Sequence, residues 1–381
     1  MNPTPSPTTT APFRLGERGP AVVEVRDRLV RLGLLDDCAG EHGDTFDAPL
    51  DRAVRQFQQQ RGLTVDGVVG AHTFRRLEEA RWQLGDRVLS YRAGLVIAGD
   101  DVAALQRRLA KFGFDLGRVD GMFGPRTDAA LREFQRSVGV SADGTCGPDS
   151  FRALARLART VGGEGSPVDL RELSRLEHLA TGVADKVVVL DPGRRRAPRS
   201  THAPAVDGLT EALVADDLAD RVEGRLAAIG VQVLLTRAPG SVSGSSGASP
   251  DQAAQAAFAN TVNADLVLSL HVDSLDTPLA NGLATFYYGD SIMGTGSALG
   301  ARAAAFLQEE LTSRTDLADC RTHAKSWDLL RLTRMPTVQV ECGYLTSPYD
   351  AVRLADTHFR DAVAEGIAAA VVRFFAPEPG D

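Results

Sequence analysis

The periodicity of apolar positions changes character near residue 186. Upstream it is helical: Val22, Val25, Leu29 and Leu32 fall at spacings of three and four on one helix face, and Gly33 stops the run. The pattern returns as Val102, Leu105, Leu109 and Phe112 before Gly113, eighty positions on. Further along, Ala53, Arg55, Phe57, Gln58, Gly62, Asp66, Gly67, Gly70, Phe74, Arg75 and Leu77 recur as Ala130, Arg132, Phe134, Gln135, Gly139, Asp143, Gly144, Gly147, Phe151, Arg152 and Leu154, seventy-seven positions on. The chain therefore holds an internal duplication, with three extra residues in the first copy between 36 and 47. Each copy predicts three short helices. The second centres on Phe57-Gln58 or Phe134-Gln135, an Asp-Gly turn follows at 66–67 or 143–144, and a last helix carries Phe74 or Phe151. In the second copy Pro125 of Gly-Pro-Arg-Thr opens the middle helix.

Beyond 186, short β-branched runs alternate with helical stripes. Strands are expected at 187–190, 231–235, 266–270, 282–288 and 337–340. Between them, Asp207 is placed to cap a helix whose inward stripe is Leu218, Val222 and Leu226 and which Gly230 ends; helices are also expected over 251–263 and 297–312. Val363, Ile367, Val371 and Phe374 mark the inward face of a last helix. Such alternation predicts a mixed, mainly parallel sheet covered on both faces. Three of the strands are expected to end just before a chemically able residue. The first runs into Asp-Pro-Gly and Arg194, the third into His271 and the last into Glu341, while Glu211 comes from the helix after the first strand. In open α/β sheets ligands bind at that edge.

The domain plan is then a Pro- and Thr-rich disordered tail (1–12), two repeats (13–84 and 93–158), a linker with a short helix (159–185), an α/β domain (186–376) and a tail (377–381). The linker divides into a Gly-rich hinge at 160–168 and an amphipathic helix at 169–180, and 239–250 reads as a mobile surface loop. The fold class is thus two small all-α three-helix repeats followed by an α/β domain.

Composition narrows the function classes. At 381 residues, with 43% hydrophobic and 24% charged side chains, the chain can bury several cores, and a net charge of -8 opposes general nucleic-acid binding. No run reaches the roughly 18 apolar residues of a membrane span. The N-terminus lacks the basic and apolar segments of a secretory signal, so the expected compartment is the cytoplasm. Cys38, Cys146, Cys320 and Cys342 are scattered, which fits reduced thiols.

Motifs make the reading specific. The repeats, with Asp-Gly-x-Phe-Gly at 120–124, Ala-x-x-x-Phe-Gln and Asp-Gly-x-x-Gly-x-x-(Ser/Thr)-Phe, resemble the type 1 peptidoglycan-binding domain, present twice. That resemblance implies peptidoglycan fragments or precursors as ligands, although the matching residues are core and turn positions that establish the fold first. Val-Leu-Asp-Pro-Gly at 189–193, Gly-Leu-x-Glu at 208–211, Val-x-Leu-Thr-Arg at 233–237, Ser-Leu-His at 269–271 and Val-Glu-Cys-Gly-Tyr at 340–344 resemble the zinc-dependent N-acetylmuramoyl-L-alanine amidases of the amidase-3 family. In that family the residue after Asp-Pro-Gly is a His that binds zinc together with a Glu and the His of Ser-x-His, and a second Glu activates the metal-bound water. Carried over, Glu211 and His271 are expected metal ligands and Glu341 the catalytic carboxylate. Asp273 stands where the family shows Asn, and Tyr344 where it shows Phe.

The first ligand position holds Arg194. A guanidinium has no lone pair for a metal and stays protonated. The expectation is that zinc is absent or weakly bound and that Arg194 pairs with Glu211. His202, eight positions along the same loop, is the alternative third donor. Arg194, Arg195, Arg196 and Arg199 read either as a solvated basic loop or as an anion site, and His323 as a surface residue. Two functions stay open. One is a cytoplasmic regulator or sensor of peptidoglycan precursor synthesis, an amidase-shaped protein without its metal. The domain order, similar to that of a group of actinobacterial proteins, implies for it a precursor-synthesis enzyme, membrane machinery and a Ser/Thr kinase as partners, with Thr8, Thr9 and Thr10 as candidate phosphate acceptors. The other is an active autolysin or endolysin.

Overall fold

The computed structural model describes residues 12–36, 43–158, 179–193, 204–237, 252–290 and 295–377. Residues 1–11 of the expected tail, most of the first-copy insertion, the 160–168 hinge, nearly all of the 169–180 helix and the 239–250 loop lie outside them. So do Arg194, Arg195, Arg196, Arg199 and His202, and with them the expected Arg194–Glu211 pair and the His202 alternative. The chain divides into two compact units, one carrying the repeats and the other the α/β domain.

In the first unit each copy has the three expected helices: α1 (Pro20–Arg31), α2 (Ala48–Gln60) and α3 (Ala71–Glu79), then α4 (Asp100–Lys111), α5 (Pro125–Val138) and α6 (Pro148–Ala158). Two-residue strands β1 (Leu89–Ser90), β2 (Ile97–Ala98), β3 (Met122–Phe123) and β4 (Thr145–Cys146) pair antiparallel as β1 with β4 and β2 with β3. Gly33 and Gly113 follow α1 and α4 at φ values of +69 and +92, the left-handed region that ends a helix. Val25, Leu29, Phe57 and Leu77 bury the first core; Leu105, Leu109, Phe134 and Leu154 bury the second. Each such side chain contributes about 1.5–3 kcal/mol relative to exposure.

Periodicity places Gln58 and Gln135 at the centres of helices but does not reveal what they do. Gln135 is fully buried; its Nε2 donates to Asp143 Oδ1, the Thr145 carbonyl and Ser150 Oγ, each at 3.0 Å, and its Oε1 accepts from the Gly144 amide at 2.9 Å. Gln58 makes the same set with Asp66, Val68, Thr73 and Gly67, and Gln106 with Asp120, Met122, Thr127 and Gly121. One amide thus fastens each Asp-Gly turn to the preceding helix. Eighty positions before Gln106 stands Arg26, which reaches the Thr45 carbonyl and Asp47 at 2.9 Å each. At the start of α4, Asp100 takes Arg61 of the first copy at 2.6 Å and Asp101 takes Arg87 at 2.7 Å, carboxylates where the helix dipole favours them.

The second unit contains β5 (Val187–Pro192), α7 (Glu211–Ala228), β6 (Gln232–Leu235), α8 (Gln252–Thr261), β7 (Leu266–Asp273), β8 (Leu283–Asp290), β9 (Thr295–Gly296), α9 (Ala298–Arg314), β10 (Asp319–Lys325), α10 (Asp328–Leu332), β11 (Thr337–Tyr344), α11 (Pro348–Ala355) and α12 (Thr357–Phe375). Its sheet runs β10-β8-β11-β7-β5-β6, with β9 beside β8. Along the β10-to-β6 path the ladders are parallel except where β8 meets β11, so the sheet is mixed and mainly parallel. Val188, Leu190, Leu268, Leu270, Val338 and Val340 point to one face and pack with α7, α9 and α12 through Leu218, Val222, Leu307, Leu311, Ile367 and Val371. Val189 and Val267, on the other face, pack with Ala259, Ala264 and Met335.

Two expectations need correction. His271 and Glu341 do not follow their strands but lie inside them: β7 and β11 pair from Thr337 opposite Val267 through Glu341 opposite His271. The apolar runs end earlier than the ladders, because polar residues on the less covered face keep the β conformation. The cap of α7 is Thr210, whose Oγ1 accepts from the Leu213 amide at 3.2 Å, and not Asp207. Gly208, at φ +77, turns the chain between them, so helical geometry cannot start at Asp207.

Candidate functional site

Strand alternation sends Val188 and Leu190 to the large core, which leaves Asp191 on the opposite face; the same logic exposes Ser269 and His271 of β7 and Gln339 and Glu341 of β11 to that face. Asp191 is its organising group. Almost wholly buried, it accepts from Thr236 Oγ1 at 2.5 Å and Gln255 Nε2 at 2.8 Å on one oxygen, and from Ser269 Oγ at 2.6 Å on the other. One carboxylate therefore ties together β5, β7, α8 and the end of β6. The neighbouring Arg237 donates to the Pro192 carbonyl at 3.0 Å and pairs with Asp216 on α7. Together these contacts give Val-x-Leu-Thr-Arg a role in holding the Asp-Pro-Gly corner.

Ser269 passes the arrangement on. Its hydroxyl proton goes to Asp191, so toward His271 Nε2, 3.0 Å away, it acts as acceptor. The other ring nitrogen, Nδ1, lies 3.1 Å from Glu211 Oε1. An imidazole nitrogen and a carboxylate meet at that distance with a cation between them, a proton or a metal. Glu211 is the first residue of α7, and Thr210 fixes where that helix begins. The His271 ring lies against the Gly193 backbone, where any side chain would collide with its ring atoms; the Gly193 amide is held by the Leu270 carbonyl at 2.8 Å. Glu341 is buried beside His271 in the ladder and accepts from Gln339 Nε2 at 2.9 Å. Past the site, the buried Asp350 accepts from the amides of Gly282 and Tyr344 at 2.9 and 3.0 Å, and burial raises its pKa against those two bonds.

The structure thus brings Glu211 and His271 into contact and sets Glu341 beside them. It adds Asp191, Gln255, Ser269, Gln339 and Gly193, to which the sequence reading gave no role. Asp191 and Ser269 were visible as parts of Asp-Pro-Gly and Ser-x-His; Gln255 carried no signal, since it reaches Asp191 only through folding. His323, expected on the surface, is exposed and donates from Nε2 to the Cys320 carbonyl at 2.7 Å.

Residues 188–373 match the Amidase_3 family of N-acetylmuramoyl-L-alanine amidases, and 18–77 and 98–154 each match a family described as "Putative peptidoglycan binding domain". The chain is 46% identical over 371 residues to the N-acetylmuramoyl-L-alanine amidase CwlM of Mycobacterium tuberculosis, covering 95% of this chain and 89% of that one. This protein belongs to the amidase-3 family of N-acetylmuramoyl-L-alanine amidases. Another amidase, the germination-specific N-acetylmuramoyl-L-alanine amidase of Bacillus subtilis, is 29% identical over 210 residues, 52% of this chain and 83% of that protein. Among solved structures, amidase AmiC2 of Nostoc punctiforme aligns at 30% identity with a TM-score of 0.41, covering 51% of this chain and 98% of that one.

Amidases of this family use zinc, and the donor set here can be set against that requirement. The Glu211–His271 gap of 3.1 Å approximates one edge of a tetrahedron around zinc, whose N and O ligands stand at about 2.0–2.2 Å. A catalytic zinc takes three protein donors and keeps a fourth place for water. Among the described residues no group of three or more His, Cys, Asp or Glu side chains is arranged to hold a metal. Arg194, which stands where the family resemblance leads one to expect the third donor, lies outside the described residues. Among the described residues, Glu211 and His271 are two such donors in contact with each other.

Proposed function

We propose that this amidase-family chain works without the family's hydrolysis, as a cytoplasmic regulator or sensor of peptidoglycan precursor synthesis. The observation that carries the reading is Arg194 at the place of the first zinc ligand. It leaves Glu211 and His271 as two donors, with the catalytic position Glu341 lacking a metal-bound water to act on. A two-donor site holds zinc poorly, and a fixed positive charge beside it opposes a dication. In this reading the repeats take peptidoglycan fragments or precursors. The partners are a precursor-synthesis enzyme and a Ser/Thr kinase, and the 194–199 arginines serve as an anion site. One feature supports the compartment: the cysteines among the described residues are free, as a reducing environment keeps them.

A second reading, an active zinc amidase cleaving the bond between N-acetylmuramic acid and L-alanine, is favoured by the metal-like spacing of Glu211 and His271. It requires a third donor such as His202. Elemental analysis of protein purified without chelators separates the two. Zinc well below one per chain in the unmodified protein, rising toward one in Arg194→His, supports the regulatory reading. Stoichiometric zinc in the unmodified chain together with release of stem peptide from muropeptides overturns it.

A further inference from the structure

Between the two spans that match the peptidoglycan-binding family, 18–77 and 98–154, the chain forms a hairpin. Its base is fixed. Leu89 of β1 pairs with Cys146 of β4 and is buried in the core of the second repeat, Ile97 of β2 pairs with Phe123 of β3, and Arg87 Nη2 closes the two arms by donating to the Ala98 carbonyl at 2.8 Å. Its tip is not packed. The Leu95 amide donates to the Arg92 carbonyl at 3.0 Å, Gly94 completes the turn at φ +80, and every residue over 91–96 is exposed. The pairing of Arg92 with Leu95 puts those two on one side of the hairpin and the next positions out, Tyr91 and Val96, on the other. A strand that packs one face on a core keeps its other face polar. This tip is apolar on both sides, with Leu95 and Val96 as much as 56% and 60% exposed.

Charge selects what the tip meets. The chain carries a net charge of -8, yet 87–99 contains Arg87 and Arg92 and no Asp or Glu. Asp101 neutralises Arg87 at 2.7 Å, which leaves Arg92 at the tip and Arg81, over the Trp82 ring at 4.7 Å, as the exposed cations. Six residues are too few to hold a second copy of the chain, since stable protein interfaces take about 800 Å² and roughly 20–30 residues a side. They suit the interfacial layer of a bilayer, where a Tyr ring and aliphatic side chains enter the headgroup boundary while arginines meet lipid phosphates. We propose that the hairpin tip, 91–96, inserts into the surface of a membrane rich in anionic lipid and acts as a peripheral anchor. The contact depends neither on zinc in the α/β domain nor on a wall ligand in the repeats.

Flotation of the full-length protein with vesicles of phosphatidylcholine, alone or mixed with phosphatidylglycerol, tests it. Binding to the mixed vesicles only, weakened by salt, is the expected result. Leu95→Asp combined with Val96→Asp should abolish binding, and Arg92→Gln should weaken it about fivefold and reduce its salt dependence. Tyr91→Trp should gain emission quenching by bromine-labelled acyl chains that the parent chain lacks, which separates insertion from adsorption on headgroups. The proposal is overturned by absence of flotation with the mixed vesicles, by flotation that the double substitution leaves unchanged, or by a Tyr91→Trp protein that floats unquenched. A dimer that the double substitution dissociates, in a chain that binds no vesicles, also overturns it and assigns the tip to a second copy.

Discussion

Replacing Asp191 by alanine should cost more stability than its single carboxylate suggests. Three donors converge on it at 2.5, 2.6 and 2.8 Å, from Thr236, Ser269 and Gln255, in a position only 1% exposed. Hydrogen bonds to an ionised acceptor contribute about 1.5–3 kcal/mol each, an upper sum of roughly 5–9 kcal/mol. Two of the donors are hydroxyls that can turn; Ser269 gains His271 Nε2, 3.0 Å away, as a substitute acceptor once the ring gives up the proton it donates there. Among the described residues the Gln255 amide donates to Asp191 alone, and its orphaned donor costs about 1–3 kcal/mol. A net loss of about 3–5 kcal/mol follows, with Asp191→Asn losing less because it keeps one acceptor oxygen. The assay is denaturant unfolding of the Trp82→Phe protein followed by Trp327 emission, which reads the α/β unit by itself. The signature is a lower midpoint at unchanged slope. A loss below about 1 kcal/mol for Asp191→Ala would refute the claim that this carboxylate fastens the site.

Other expectations are as concrete. Gln135→Met keeps the volume of a fully buried side chain but strands the Gly144 amide, so hydrogen exchange over 139–158 should quicken by an amount equivalent to about 2–3 kcal/mol; unchanged exchange would mean that Gln135 only fills space. Glu310 has its pKa lowered chiefly by its hydrogen bond to Arg373, and also by Arg314, against the desolvation that raises it. A depressed carboxyl stabilises above its unfolded value and loses that contribution as pH falls through the folded one. Stability should therefore drop as pH goes below about 4.5, and Glu310→Gln should flatten that part of the profile in a thermal-melt series. Burial pushes the Cys146 and Cys342 thiols up to about 12, so at pH 8 a maleimide should leave both unmodified in the folded protein and label them after unfolding, as read by mass spectrometry.

The sequence by itself determined the parts that rest on local periodicity. The duplicated helical repeats, Gly33 and Gly113 as stops, most strands and helices beyond 186 and the family follow from spacings and motifs, because each depends on neighbours within a turn or a strand; β9, β10, α10 and α11 carried no such signal. Glu211, His271 and Glu341 could be singled out as types of residue, and Arg194 as the residue standing where the resemblance leads one to expect a His. Only tertiary structure decided how they meet. The Glu211–His271 contact joins residues sixty positions apart, and Asp191 reaches forty-five, sixty-four and seventy-eight positions along the chain to its three donors. His323 stands opposite Phe286 and Phe286 opposite Gln339 only because β8 lies between β10 and β11, an order that no strand announces on its own. Hydrophobic alternation selects which face a side chain takes; pairing across the sheet, which depends on distant strands burying their apolar faces together, selects its neighbours.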